Sequence, residues 1–179
     1  MTTNLSQSIR VTVRFAGWML LSWLAMTQSH ELGHVVGGWI SGATLIEIDL
    51  RPWHLPYSIH SPDPAPLITL WSGPVLGVLV PVAIALGANR RVLWFVADFC
   101  LLANGTYLAL AWFSGEAFLD APRLFQAGAS KPMVAAYCIL TIGVGYARFR
   151  NDCISMLEHA SEPPMASAPH PVPDENANR

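Results

Sequence analysis

Charged side chains are scarce in this chain. Asp, Glu, Lys and Arg make up 12% of its 179 residues, against about 25% in a typical soluble domain. The formal net charge is −2, so the chain lacks the surplus of basic residues that a polyanion-binding surface requires. We therefore expect no nucleic-acid partner, and a composition with 53% hydrophobic residues indicates a membrane protein.

Cysteine is also rare. The three cysteines, Cys100, Cys138 and Cys153, show no paired spacing, and two of them lie in apolar runs. A disulfide framework or a cysteine metal cluster depends on paired or clustered spacings. We therefore expect three free thiols and look elsewhere for metal ligands.

Long hydrophobic runs, by contrast, are abundant. Four segments approach the roughly 20 residues that a helix needs to cross a bilayer core, at 13–40, 66–87, 91–113 and 132–148. The first run is too long for a cleavable signal peptide, and no internal repeat is present. We predict an all-α, multi-pass integral protein of the cell membrane, with a membrane domain over residues 1–155. The remainder, 156–179, is rich in Pro, Ala, Ser and Glu and is predicted to be a disordered tail.

The loop after the first span has strand character. The segment TLIEIDL at 44–50 alternates apolar and polar side chains, as a half-buried strand does. The segment YSIH at 57–60 can pair with it across a Pro-rich turn, giving a small β-hairpin. An ordinary surface loop is the equal alternative. His54 and His60 lie in this loop, where each is either solvated or within reach of a metal.

Ionisable residues appear at one place inside the first apolar run. None occurs between Arg14 and His30, and the motif HELGH then follows at 30–34. Residues four apart share one face of a helix, so His30 and His34 can bind one metal while Glu31 stands beside it to act on a water. HExxH on a helix is typical of zinc metalloproteases. The alternatives are that both histidines bond to neighbouring helices or ligate haem.

A zinc enzyme of this type needs a third protein ligand and an open position for water. The nearby acids are Asp98, Glu116 and Asp120. We favour Asp120, because it lies just beyond the third span, where the chain can bend back toward the first helix. Its alternative role is the N-cap of a short helix that starts at the following Ala-Pro. Asp98 lies mid-span and must face protein or water, and Glu116 is too close to Asp120 in sequence to be set aside.

These motifs together resemble the site-2 protease family of intramembrane zinc metalloproteases. The resemblance lies in HELGH on the first membrane helix, the strand-like loop, SGPVLG at 72–77 in the next span, and an Asn followed further on by Leu-Asp. It covers roughly residues 26–125. The resemblance implies that His30, His34 and Asp120 bind Zn²⁺ and that Glu31 is the catalytic base.

The chain departs from that family pattern in two places. The family's aspartate usually stands in Leu-Asp-Gly, where this chain has Leu119-Asp120-Ala121. The family's asparagine comes shortly before the aspartate, whereas Asn104 precedes Asp120 by sixteen positions. The sequence also contains no inserted domain, so the resemblance is to a divergent, minimal core.

The sequence thus predicts a zinc metalloendopeptidase that acts on membrane-embedded protein or peptide substrates within the lipid bilayer. Two alternatives stay open. One is a non-catalytic membrane protein that binds metal or haem through His30 and His34, and the other is an inactive protease-like scaffold. Glu31 favours the enzyme, because a purely structural metal site needs no base at that position.

Overall fold

The computed structural model describes residues 2–51 and 53–161, and this part of the chain is mostly helical. Side-chain descriptions apply to 7–51 and 53–158. The elements in chain order are α1 Thr2–Ser41, β1 Leu45–Asp49, β2 Tyr57–His60, α2 Pro66–Ala88, α3 Arg91–Ser114, α4 Asp120–Gln126 and α5 Lys131–Ser161.

Four helices within the described residues are long and apolar enough to cross a membrane, as the sequence predicts. These stretches are Gln7–Ser41, Pro66–Ala88, Arg91–Ser114 and Lys131–Glu158. Their outer faces carry large apolar side chains, of which Phe113 is 89% exposed and Trp39 81% exposed. Exposed apolar surface of this extent is typical of a membrane-facing surface.

The first and last helices of the chain, α1 and α5, are longer than predicted. Helix α1 begins at Thr2 rather than near residue 13, and α5 continues to Ser161 rather than ending near 148. The added turns carry charged residues, which lower hydropathy without breaking a helix. Helix α5 therefore passes the predicted domain end at 155, while the rest of the predicted tail, 162–179, lies outside the described residues.

The loop after α1 forms the predicted hairpin. Strands β1 and β2 pair antiparallel, with Ile48 opposite Ser58 and an irregular register between Leu45 and Glu47. Helix α1 ends at Ser41, and the next residue, Gly42, has a φ of 78°, a left-handed conformation that favours glycine. The side-chain amide of Gln28 donates to the backbone carbonyl of Leu50 at 2.8 Å, which ties the end of β1 to α1.

Small residues bring the helices into close contact. A Cβ at Gly33 would lie 2.5 Å from the carbonyl oxygen of Ser72, so α1 and α2 touch backbone to backbone. A Cβ at Gly145 would lie 2.5 Å from the backbone nitrogen of Leu102, and α3 meets α5 in the same way. Helix pairs in membranes use such small residues for close approach. Helix α4 closes one end of this bundle, where Leu108, Ala121 and Leu124 are buried together.

The three cysteines are free, as expected from their spacing. Cys100 and Cys138 are buried and Cys153 is half-buried. They contribute apolar packing and no cross-link, so the arrangement of the helices depends on packing and polar contacts between them.

Candidate metal centre

Three side chains from α1 and α4 converge on one buried point. The Nε2 atom of His30 lies 2.8 Å from Oδ2 of Asp120, and Nε2 of His34 lies 3.3 Å from the same oxygen. The two Nε2 atoms are 3.2 Å apart. The three residues are 4%, 5% and 6% exposed. The structure therefore brings together the three residues that the sequence proposed as ligands.

The triangle of donor atoms fits a zinc ion. With bonds of about 2.0–2.1 Å in a tetrahedral arrangement, zinc holds its ligand atoms about 3.3 Å apart. The three separations here lie between 2.8 and 3.3 Å. A small outward movement of the side chains is enough to accept the ion.

The other ring nitrogens of the two histidines fix the direction of each Nε2 lone pair. Nδ1 of His34 lies 2.8 Å from the backbone carbonyl of Thr69, which can only accept, so Nδ1 is the donor. Nδ1 of His30 lies 2.7 Å from Oδ1 of Asn104, and the amide nitrogen of Asn104 donates to the carbonyl of Cys100 at 2.9 Å. That second bond identifies Oδ1 as an acceptor. With Nδ1 as the donor, each ring in its neutral form presents a bare Nε2 lone pair to the shared point.

Two lone pairs and a carboxylate oxygen repel one another in a buried space. Adding one proton to either ring creates a single donor, which satisfies one of the three close contacts. A divalent cation satisfies all three at once, and metal-ligating histidines commonly donate their other N–H to a carbonyl or carboxylate oxygen. The arrangement is therefore one that could hold a metal ion, and its distances are also those of a buried ion pair between Asp120 and the two rings.

Glu31 lies beside the centre. Its carboxylate is within 4.8 Å of the ligand nitrogens of both histidines, whereas Asp120 is within hydrogen-bond distance of both. The hydroxyl of Ser58, on β2, donates to Oε2 of Glu31 at 3.2 Å. Asp120 is closer to both rings than Glu31 is, so Asp120 is the better placed third donor. Glu31 stands beside the group and is held by the hairpin through Ser58.

A small cavity of about 50 Å³ opens onto this centre. Its walls combine His30 and Glu31 with apolar side chains, so a substrate atom in it would lie next to both a metal ligand and the base. The apolar part of the wall comes from α1, α3 and the loop before β2, as Trp23, Met26, Leu55, Pro56 and Tyr107.

The two glycines of the motif SGPVLG in α2 leave room for the centre because they have no side chain. A Cβ at Gly73 would lie 2.2 Å from Nε2 of His34, and a Cβ at Gly77 would lie 2.7 Å from Oδ1 of Asn104. Any larger residue would displace a metal-binding ring or the amide that orients one. The two glycines let the α2 backbone cover the centre.

The other candidate residues are not part of the centre. Asp98 is buried and accepts from Nε of Arg148 at 2.6 Å, so it joins α3 to α5. Glu116 is exposed in the connection before α4. His54 lies 3.5 Å from Asp49 within the hairpin loop. The N-cap role for Asp120 is wrong, because Leu119 caps α4 and Asp120 is its first residue.

His60 lies near the centre without joining it. Its ring packs against α1, where a Cβ at Gly38 would lie 2.5 Å from Cδ2. Its Nε2 is buried and has no hydrogen-bond partner among the described residues. Burial, followed by the proximity of His34, lowers the pKa of His60. The lowered pKa favours the neutral ring, and the position of His60 on β2 anchors the hairpin to α1.

No protein-family model, curated protein or solved structure matches this chain. Its chemistry therefore has to be argued from its own donor atoms.

Three residues that support the centre were not assigned a role from the sequence. Asn104 orients His30, Thr69 orients His34, and Ser58 holds Glu31. Asn104 carried a detectable signal, since an amide in an apolar span requires a polar partner. Thr69 acts through its backbone carbonyl and Ser58 lies in a short strand, so neither has a distinguishing pattern.

Replacing Asn104 with Leu is expected to weaken zinc binding by about 10- to 100-fold, because it removes the acceptor that fixes the His30 ring. The measurement is a competition titration of the detergent-purified protein against a chromogenic chelator. Thr106→Val is the matched control on α3, since within the described part of the chain the Thr106 hydroxyl bonds only to the Leu102 carbonyl of its own helix. Equal zinc affinity in Asn104→Leu and wild type would contradict this role.

Proposed function

We propose that this protein is a zinc metalloendopeptidase that lies in the membrane and hydrolyses peptide bonds of membrane-embedded proteins or peptides. The observation that carries the proposal is the convergence of His30, His34 and Asp120 on one point with Glu31 beside it. The resemblance of the motifs to site-2 proteases supports the same reaction.

The number of ligands favours catalysis over a structural role. Structural zinc sites are closed by four protein ligands, whereas catalytic sites have three and keep one position open. Here two histidines and one aspartate supply three donors, and the cavity beside His30 and Glu31 gives the fourth position access. A base within reach of that position has no use in a structural site.

Zinc held by His30, His34 and Asp120 would supply Lewis acidity, which acidifies water and polarises a carbonyl. Glu31 accepts a proton from the attacking water as the oxygen forms a bond to the peptide carbon. The same carboxyl then gives that proton to the leaving nitrogen as the C–N bond breaks. The Ser58 hydroxyl keeps the Glu31 carboxylate in place through both transfers.

The surroundings of the centre indicate the class of substrate. The donor atoms are buried on helices of membrane-spanning length, and the adjoining cavity is walled mainly by apolar side chains. A substrate segment must therefore be apolar and must reach the centre from within the bilayer. Because backbone hydrogen bonding shields the peptide bonds of a helix, that segment must be locally unwound at the scissile bond.

Haem binding is disfavoured by the geometry. Two axial histidines lie on opposite sides of a haem, whereas the Nε2 atoms of His30 and His34 are 3.2 Å apart and share Asp120 as a neighbour. A planar macrocycle does not fit between them. An inactive scaffold would bind zinc equally well, so only cleavage distinguishes it from the enzyme.

The proposal is tested by reconstituting the purified chain into liposomes with a panel of apolar single-span peptides. We expect fragments detectable by mass spectrometry, loss of cleavage with 1,10-phenanthroline, and recovery when zinc is restored. A zinc-loaded protein that cleaves no member of the panel would favour the scaffold. A protein that binds no zinc after resupply would overturn the proposal.

A further inference from the structure

A second cavity lies near the end of the bundle formed by the start of α1, the start of α3 and the end of α5. Its volume is about 280 Å³. Its wall is separate from the candidate metal centre and shares none of the residues described there. Two arginines, one from α1 and one from α3, line it among apolar side chains, as Arg14 and Arg91 with Val11, Phe15, Trp18 and Val92.

The side chains that line this cavity carry a net positive charge. Arg14 and Arg91 stand against a single acid in the wall, Asp152 of α5. Asp152 interacts electrostatically with Arg91, and also with Arg148 and Asp98 deeper in the bundle. The described residues of the wall thus carry two positive charges and one negative charge, and this excess of one complements the single negative charge of a phosphodiester.

The cavity lies where the apolar stretches of α1 and α3 begin, which is the position expected of a membrane boundary. Arg14 is the last charged residue before the charge-free stretch of α1, and Arg91 is the first residue of α3. Phe15 and Trp18 follow Arg14 along α1, and Val92 follows Arg91 along α3, so these apolar wall residues lie further into the spans than the two arginines. Basic pockets between membrane helices bind anionic lipid head groups in this arrangement.

We propose that this cavity is a binding site for one anionic glycerophospholipid, whose phosphate pairs with Arg14 and Arg91 while its glycerol and acyl chains lie along the apolar wall. A soluble phosphate would use the guanidinium groups but not Val11, Phe15 or Val92. The inference is independent of proteolysis, because it involves no residue of the metal centre.

The experiment is native mass spectrometry of the full-length protein in neutral detergent, titrated with phosphatidylglycerol or with phosphatidylcholine of the same acyl chains. We expect one tightly held phosphatidylglycerol and at least about tenfold weaker retention of phosphatidylcholine. The double variant Arg14→Gln/Arg91→Gln is expected to lose at least about tenfold in phosphatidylglycerol affinity, because it removes two charge-assisted hydrogen bonds.

Arg90→Gln is the matched control, since Arg90 neighbours Arg91 in sequence and does not line the cavity. It should bind lipid like wild type. Val92→Trp, which fills the cavity and leaves both arginines, should also lose binding. Zinc content serves as the check that each variant is folded. Equal affinity for the two lipids, unchanged affinity in the double variant or in Val92→Trp, or displacement of the lipid by equimolar inorganic phosphate would each overturn the proposal.

Discussion

Glu31→Gln is expected to reduce the rate of peptide cleavage by about 10²- to 10⁴-fold, the contribution typical of a positioned acid–base group, while zinc remains bound. The amide has nearly the same shape as the carboxylate, and its oxygen can still accept the Ser58 hydroxyl. It cannot accept the proton of the attacking water. The three zinc donors are untouched, so the loss falls on the chemical step alone.

The measurement is a pair of readings on each protein, zinc per chain by plasma mass spectrometry and initial cleavage rate in liposomes. Glu116→Gln is the matched control, because it makes the same chemical change at an exposed position near α4. It should behave as wild type in both readings. Cleavage by Glu31→Gln at the wild-type rate would remove Glu31 as the base. Loss of zinc in that variant would instead make Glu31 a ligand.

His34→Ala and Asp120→Ala are each expected to bring the zinc content of the purified protein close to zero. A structural site with four ligands gains about 10–16 kcal/mol on binding zinc, so one ligand accounts for about 3 kcal/mol, or more than a hundredfold in Kd. In a site with only three ligands, removing one ligand takes away a larger fraction of the binding free energy. Asp120→Ala also removes the single negative charge among the three donors, which leaves two neutral rings.

His54→Ala is the control for the histidine variant, since His54 lies in the hairpin loop and contacts Asp49. It should retain about one zinc per chain. Zinc that survives Asp120→Ala would move the third ligand to another acid. Glu31 is the first candidate for that role, because its carboxylate is already within 4.8 Å of both histidines. Combining Asp120→Ala with Glu31→Gln would then identify it.

The parts of the fold that depend on residues close together in the sequence could be predicted. Apolar run length determines whether a helix can span a bilayer, so four spans could be predicted. The alternating pattern at 44–50 suggested the β1–β2 hairpin, with an ordinary loop as the equal alternative. Helix ends could not be predicted, because the charged last turns of α5 resemble a loop in composition. The short helix α4 was predicted only as a possible helix start at the Ala-Pro after Asp120, one residue later than the observed start at Asp120.

The candidate centre likewise has one part that could be predicted from the sequence and one part that could not. His30, Glu31 and His34 lie within one turn and a half of helix, so their relation follows from helical geometry alone. Asp120 is ninety positions from His30, and its approach depends on how α3 and α4 pack. Asp98 shows the limit of the sequence argument, because a mid-span acid predicts a partner but not that the partner is Arg148, fifty positions away.

The separation in sequence between His30 and Asp120 also determines when the donor set is completed during synthesis. During synthesis the histidines emerge on the first helix, long before the aspartate that completes the donor set. Thr69, Gly73 and Asn104, which hold or cover the rings, arrive in between on α2 and α3. The donor set of the proposed centre is therefore complete only after α3 and the start of α4 have been synthesised.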